Sequence, residues 1–325
     1  MMQGRSREIA VAGTILALFA VLARSAPGYF SRANLSDLFL ANVPVLIVAL
    51  GMTLVILTGE IDVSVGSIFA IAGIASGAFA KLGFPVLAAG LAAGIAGAVF
   101  GALNGALVAY LKVPSIVVTL AALVALRDGL RWATQGAWVD DLPAGFQWLG
   151  LSQSIYPLMM LLVAIVLAAA FAWGLRNVAA GRAVYATGSN PEAARLSGIH
   201  PSRVKFSVFT ILGALTGLAA VLNSVRFNQI PSNAGLGLEM KVIAAVVIGG
   251  TAITGGKGSM LGTVLGVILM GAIGPALTFL SVGAYWEKAL QGAIILAAIV
   301  IDAVGVRLEN RRLKTDGNSL VPSRA

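Results

Sequence analysis

The chain has 325 residues, 58% of them hydrophobic and 11% charged, with a net charge of +9 and a mean hydropathy of +0.94. Soluble domains carry about 25% charged residues, so the balance assigns an integral membrane protein. Zero cysteines exclude disulfides and thiolate chemistry, and a single histidine, His200, excludes a multi-histidine metal site.

A hydrocarbon core of roughly 30 Å takes about 20 apolar helical residues per crossing. The length therefore admits ten crossings with short loops and no large soluble domain. The apolar runs are continuous, whereas barrel strands alternate polar and apolar residues. The expectation is an all-α polytopic membrane protein with about ten transmembrane helices, forming one domain over residues 1–325. The basic residues lie between the apolar runs, where they set orientation, and nucleic-acid binding is not expected.

A short cytoplasmic segment, 1–8, with Arg5 and Arg7 precedes the first apolar run, 9–23. A signal peptide with Ala23 and Ser25 near a cleavage point is the alternative there; the short loop to the next run favours an uncleaved helix. Between residues 41 and 80 the only charges are Glu60 and Asp62, within TGEIDVSVGS at 58–67. A continuous helix of that length would reach about 60 Å, so the segment folds back. Gly59 reverses the chain, Asp62 or Ser64 caps the incoming helix, and both carboxylates lie where lipid need not bury them. Residues 82–126 carry only Lys112, beside Pro114, and give two spans, the second short. Further spans are expected at 149–175, 206–225, 242–256 (short and glycine-rich), 258–286 and 289–306, the last with Asp302 near its end.

With ten spans both termini share a side. That side collects fourteen basic residues, from Arg5, Lys112 and Arg176 to Lys257 and the tail at 307–325, against eight on the other. Both termini are therefore predicted cytoplasmic. Trp132, Trp138, Trp148 and Trp286 fall on the opposite side, as an interfacial belt.

Ionisable groups are almost absent from these spans, which argues against ion coupling. Asn104 and Asn223 either bond between helices or line a pathway. Glu239 and Lys241 either form part of an entrance or snorkel at the interface. Gly90, Gly94, Gly97, Gly101 and Gly105 share a helical face, for internal packing or for self-association. The pattern TG then GS occurs at Thr58, Gly59, Gly66 and Ser67 and again at Thr254, Gly255, Gly258 and Ser259, a weak internal echo. GGKGS at 255–259 fails the phosphate-loop pattern, because Thr251 and Gly258 stand where glycine and Ser or Thr are needed. It reads as a tight turn that sets Lys257 at the headgroups.

The largest cytoplasmic loop, about 176–205, holds a strongly marked short helix at 191–197. Asn190 is its N-cap, Pro191 its first residue, Glu192 complements the dipole, and Gly198 takes the left-handed cap. So short a helix is marginal alone, so its capping points to docking on a partner.

GEIDVSVGS at 59–67, KVPSIVVTLA at 112–121, YATGSNPEAARLSGI at 185–199 and GLEMKVIAAVVIGGTAITGGKGS at 237–259 together resemble the permease subunits of ribose-type ABC importers. ATQGAWVDDLPAGFQWLG at 133–150 is most similar to permeases of rhamnose and autoinducer-2 uptake. The resemblance implies a permease dimer, of two copies or with a paralogue, in a bacterial cytoplasmic membrane. A cytoplasmic ABC ATPase and a periplasmic or extracellular solute-binding protein would serve it. The resemblance also makes Asn190, Pro191, Glu192, Ala193, Ala194, Arg195 and Gly198 the coupling element to the ATPase, and Gly59, Glu60, Asp62, Ser64, Gly66 and Ser67 a family turn. Glu192, Ala193, Ala194 and Gly198 also resemble the EAA-and-glycine pattern of other ABC importers, although Val208 and the residues after it do not continue that pattern. A monosaccharide such as rhamnose is the expected solute, with autoinducer-2 or a related polyol as the alternative and an ion-coupled carrier as the remote one. No catalytic residue, cofactor or metal is expected in the chain itself.

Overall fold

The structure is a computed structural model that describes residues 2–300 except Ala284, Ile295, Ala298 and Ile299, with side chains from Arg7 onward. The described chain is helical: α1 (Met2–Ser25), α2 (Arg32–Leu57), α3 (Val65–Lys81), α4 (Val86–Ala109), α5 (Ser115–Thr134), α6 (Tyr156–Asn177), α7 (Ala179–Ser189), α8 (Pro191–Leu196), α9 (Pro201–Ser224), α10 (Leu238–Ile248) and α11 (Met260–Phe279). Residues 285–294 are helical as well.

Among the described residues, six helices are long and apolar enough to cross a membrane: residues 7–25 of α1, then α2, α4, α6, α9 and α11. α3 has 17 residues and α10 only 11. At 1.5 Å per residue α10 covers about 16 Å, half a hydrocarbon core. The span expected to stop at 126 runs on as α5 to Thr134, which puts Arg127 inside a helix. The end of the last expected span, with Asp302, and the basic tail at 307–325 lie outside the described residues.

α2 occupies the centre and is packed by α9, α10, α11 and α6. Its second half is buried nearly all round, as an apolar helix with no polar face must be. The most extensive helix pair is α4 with α9. There Gly97, Gly101 and Gly105 meet Gly213, Gly217 and Phe209: a Cβ on Gly101 would lie 3.0 Å from the Gly213 Cα and collide with the Phe209 carbonyl. These three glycines therefore serve packing within the chain, while Gly90 and Gly94 face open space. At one end of the bundle the segment 135–150 covers α3, tied by the Val139–Ile230 backbone pair at 3.0 and 2.9 Å and by Trp148 N–H to the Val225 carbonyl at 2.7 Å. The other end carries α8.

Candidate functional site: a re-entrant turn, a capped helix and a buried charge pair

Gly59 takes φ +80°, a conformation that glycine reaches without steric cost, and ends α2. The chain then climbs along α5. Ile61 N–H donates to Ser115 Oγ at 3.3 Å, Thr119 Oγ1 donates to the Ile61 carbonyl at 3.4 Å, and Ser67 Oγ donates to the Leu123 carbonyl at 2.8 Å. From Ser115 to Leu123 the helix rises about 12 Å, so the turn is re-entrant and α3 starts well inside the bundle.

Asp62 is fully buried, which corrects the expectation of a surface carboxylate. It is held there because local donors replace water: Ser64 N–H at 2.8 Å, Ser64 Oγ at 2.6 Å and Asn104 Nδ2 at 3.4 Å. Asn104 Nδ2 also donates to Ser64 Oγ at 2.8 Å, which makes Asn104 an interhelical bond from α4. Ser64 sits at the N-cap position but gives its hydroxyl to Asp62, and Asp62 accepts from Ser64 itself, so neither expected cap reaches the first-turn amides of α3. Glu60 pairs with Lys205 of α9, both side chains largely buried.

At the same end, Asn190 Oδ1 accepts from Glu192 N–H and Ala193 N–H, each at 3.0 Å, and opens α8 with Pro191 first. Gly198, at φ +80°, closes it. Ala194 is buried, Glu192 and Arg195 are exposed, and Leu196 is 84% exposed. Just before α8, the end of α7 is wedged into the bundle. A Cβ on Gly188 would collide with the Leu57 carbonyl oxygen and lie 2.7 Å from Gly256 N. Gly256 N–H donates to that same Leu57 carbonyl at 2.9 Å, and Tyr185 Oη donates to the Gly258 carbonyl at 2.8 Å. Burial pushes the Tyr185 phenol above its ordinary value, so it stays a neutral donor. A Cβ on Gly255 would stand 2.8 Å from Gly59 N and 3.0 Å from the Gly188 carbonyl oxygen. The two echoing turns thus meet each other and the end of α7, with Lys257 exposed beside them.

The remaining candidates lie higher in the bundle. Glu239, in the first turn of α10, is 8% exposed, so it does not snorkel; its Oε1 accepts from Gly237 N–H at 3.2 Å. Facing it is Arg127, 7% exposed, whose Nη1 donates to the Ala234 carbonyl at 2.8 Å. Sequence reasoning missed Arg127 by placing it in a loop. The signal was LRDGLRW, which continues the α5 period without a break, and a buried charge in a membrane bundle is a functional candidate by default. Among the described residues, three charged side chains, Asp62, Arg127 and Glu239, are nevertheless buried in the bundle, all outside the six long apolar helices. Lys241 is partly buried on α10, and Asn223 lies in the last turn of α9, where its carbonyl accepts from Arg226 N–H at 3.3 Å.

Comparison with known proteins places this bundle in a family. The family model described as "Branched-chain amino acid transport system / permease component" matches residues 34–299. The chain belongs to this permease family. The permease is 37% identical over 299 residues to the autoinducer 2 import system permease protein LsrC of Yersinia pseudotuberculosis serotype O:3 (strain YPIII), covering 91% of this chain and 85% of that protein. It is 36% identical over the same length to LsrC of Yersinia pestis (strain Pestoides F), with the same coverage. No solved structure matches the permease. The resemblance to ribose-type ABC permeases fits this membership.

Proposed function

We propose that the chain is the membrane permease of an ATP-driven importer for a small polyhydroxylated solute, with α8 as the element through which a cytoplasmic ATPase drives it. One observation carries the reading. α8 is firmly capped and presents Leu196 outward, while Gly188 and Ser189 immediately before it are wedged against Leu57 and Gly256. A displacement of α8 is thereby passed by backbone contact to the end of α2 and to the loop between α10 and α11. On this reading the α8 end is cytoplasmic, in agreement with the distribution of lysine and arginine, and both termini lie there. A solute-binding protein docks at the opposite end, and a second permease copy or paralogue completes the pathway.

The chain itself performs no chemistry. Alternating access follows when each partner binds the two states with different affinity. The relatives carry autoinducer-2 import in their names, which favours that solute over rhamnose. The same membership, rather than any scarcity of buried acids, now speaks against an ion-coupled carrier.

The test is uptake into proteoliposomes that hold the permease with its ATPase and binding protein. Autoinducer-2 is expected to enter only with ATP inside the ATPase compartment, and a protonophore is expected to change nothing. Uptake that continues without the ATPase would overturn the proposal.

A further inference from the structure

The buried charges near the middle of the bundle have polar atoms that nothing in the protein satisfies. Arg127 Nε and Nη2 and Glu239 Oε2 are all buried without a hydrogen-bond partner. Leaving such atoms unmet costs about 1–3 kcal/mol each, more when they are charged. They are also close together. The position a Cβ would take on Gly66 is 3.2 Å from Arg127 Nη2, 2.5 Å from the Gly235 carbonyl oxygen and in collision with Glu239 Oε2. Only glycine at position 66 permits that approach, and both orphaned charged atoms, Arg127 Nη2 and Glu239 Oε2, lie against that one point.

The backbone adds a second feature. α3 and α10 both begin here, so two helix N-termini converge on the same point from broken spans. Discontinuous helices inside a membrane bundle build binding sites in this way. The charges then select the ligand class. A lone cation would be repelled by Arg127 and a lone anion by Glu239; a neutral hydroxyl accepts from the guanidinium and donates to the carboxylate, and the importer reading chooses it over a zwitterion. Neighbouring hydroxyls on one carbon skeleton satisfy the orphaned donors and the orphaned acceptor together.

We infer that Arg127 and Glu239, set about Gly66 where α3 and α10 begin, form a station for the hydroxyl groups of a neutral polyol on its way through the permease. The inference rests on the importer reading above and names the residues that would touch its solute. Both side chains pack against Gly66, which leaves no room there for a solute. The station opens when the start of α10 moves away from α3.

The experiment measures uptake of autoinducer-2 and of an analogue lacking one hydroxyl in the complete reconstituted importer, with one binding protein throughout. The ratio of the two uptake efficiencies cancels the fraction of folded permease, and any change in it belongs to the permease. Glu239→Gln keeps the size and the acceptor for Gly237 N–H but puts an amide where a charged acceptor stood. Arg127→Lys keeps the charge and loses the fork. In each variant the preference for the full polyol is expected to fall by about tenfold, the size of one lost charged hydrogen bond. An unchanged ratio in both would mean that a buried water completes the cluster, and would overturn the station. Absence of ATP-dependent uptake by the unaltered permease would instead remove the importer reading.

Discussion

Alanine at Gly188 tests the transmission between α8 and the bundle. Its Cβ would stand 2.7 Å from Gly256 N and 2.9 Å from the Leu57 carbonyl carbon, with the carbonyl oxygen nearer still. Ordinary contact is about 3.5 Å, so α7 and the two turns must part by well over 1 Å to clear the Leu57 carbonyl oxygen, and the obstacles are backbone, which cannot rotate aside. Parting them breaks the 2.9 Å Gly256–Leu57 hydrogen bond, worth about 1 kcal/mol. Overpacking adds about 1–3 kcal/mol. Together these place about 2–4 kcal/mol at a single junction, and 1.4 kcal/mol corresponds to about a tenfold change in an equilibrium. In proteoliposomes the stimulation of ATPase activity by loaded binding protein, and the uptake it drives, are expected to fall at least about tenfold. Gly129→Ala, on α5 with no atom near its would-be Cβ, is expected to behave as the unaltered protein. Normal coupling in Gly188→Ala would refute the wedge as the route of transmission.

Other substitutions address separate contacts. Gly101→Ala forces apart α4 and α9 and is expected to lower the melting temperature of the purified protein in detergent by several degrees, whereas Gly94→Ala leaves it in place; scanning fluorimetry compares them. Asn190→Ala removes the acceptor for two α8 amides and costs about 1 kcal/mol of helix stability, so stimulated ATPase activity is expected to drop while Asn190→Asp retains it. Gly198→Val, a β-branched residue at φ +80°, is expected to weaken coupling with membrane insertion unchanged, as read by a topology reporter. Asp62→Lys puts a buried ammonium against three donors and is expected to abolish the monodisperse peak in size-exclusion chromatography, whereas Asp62→Asn gives a destabilised protein of unaltered solute preference.

What the sequence disclosed was local. The helix at 191–196, its Asn190 cap and the left-handed Gly198 follow from side-chain chemistry within eight residues, and the reversal at Gly59 follows from a span too long for a bilayer. The burial of Asp62 was not legible, because the donors that make it tolerable include Asn104, which is 42 residues away. The glycine stripe on α4 announced a close approach without naming the partner, which is α9. Arg127 and Glu239 were harder still: one looked like a loop residue and the other like an interfacial one, and only the meeting of α3, α5 and α10 brings them to Gly66. Pattern periodicity carries no information about which distant backbone lies against a given face.

α10 is a rigid rod of about 16 Å with a swivel at each end. Gly237 stands before it at φ +84°, and Gly250, Gly255 and Gly256 follow it at φ +94°, +87° and +72°. Gly255 and Gly256, in the loop that follows it, touch Gly188, beside α8, and Glu239 stands in its first turn. The surface contact and the buried charge pair thus lie toward opposite ends of one short helix.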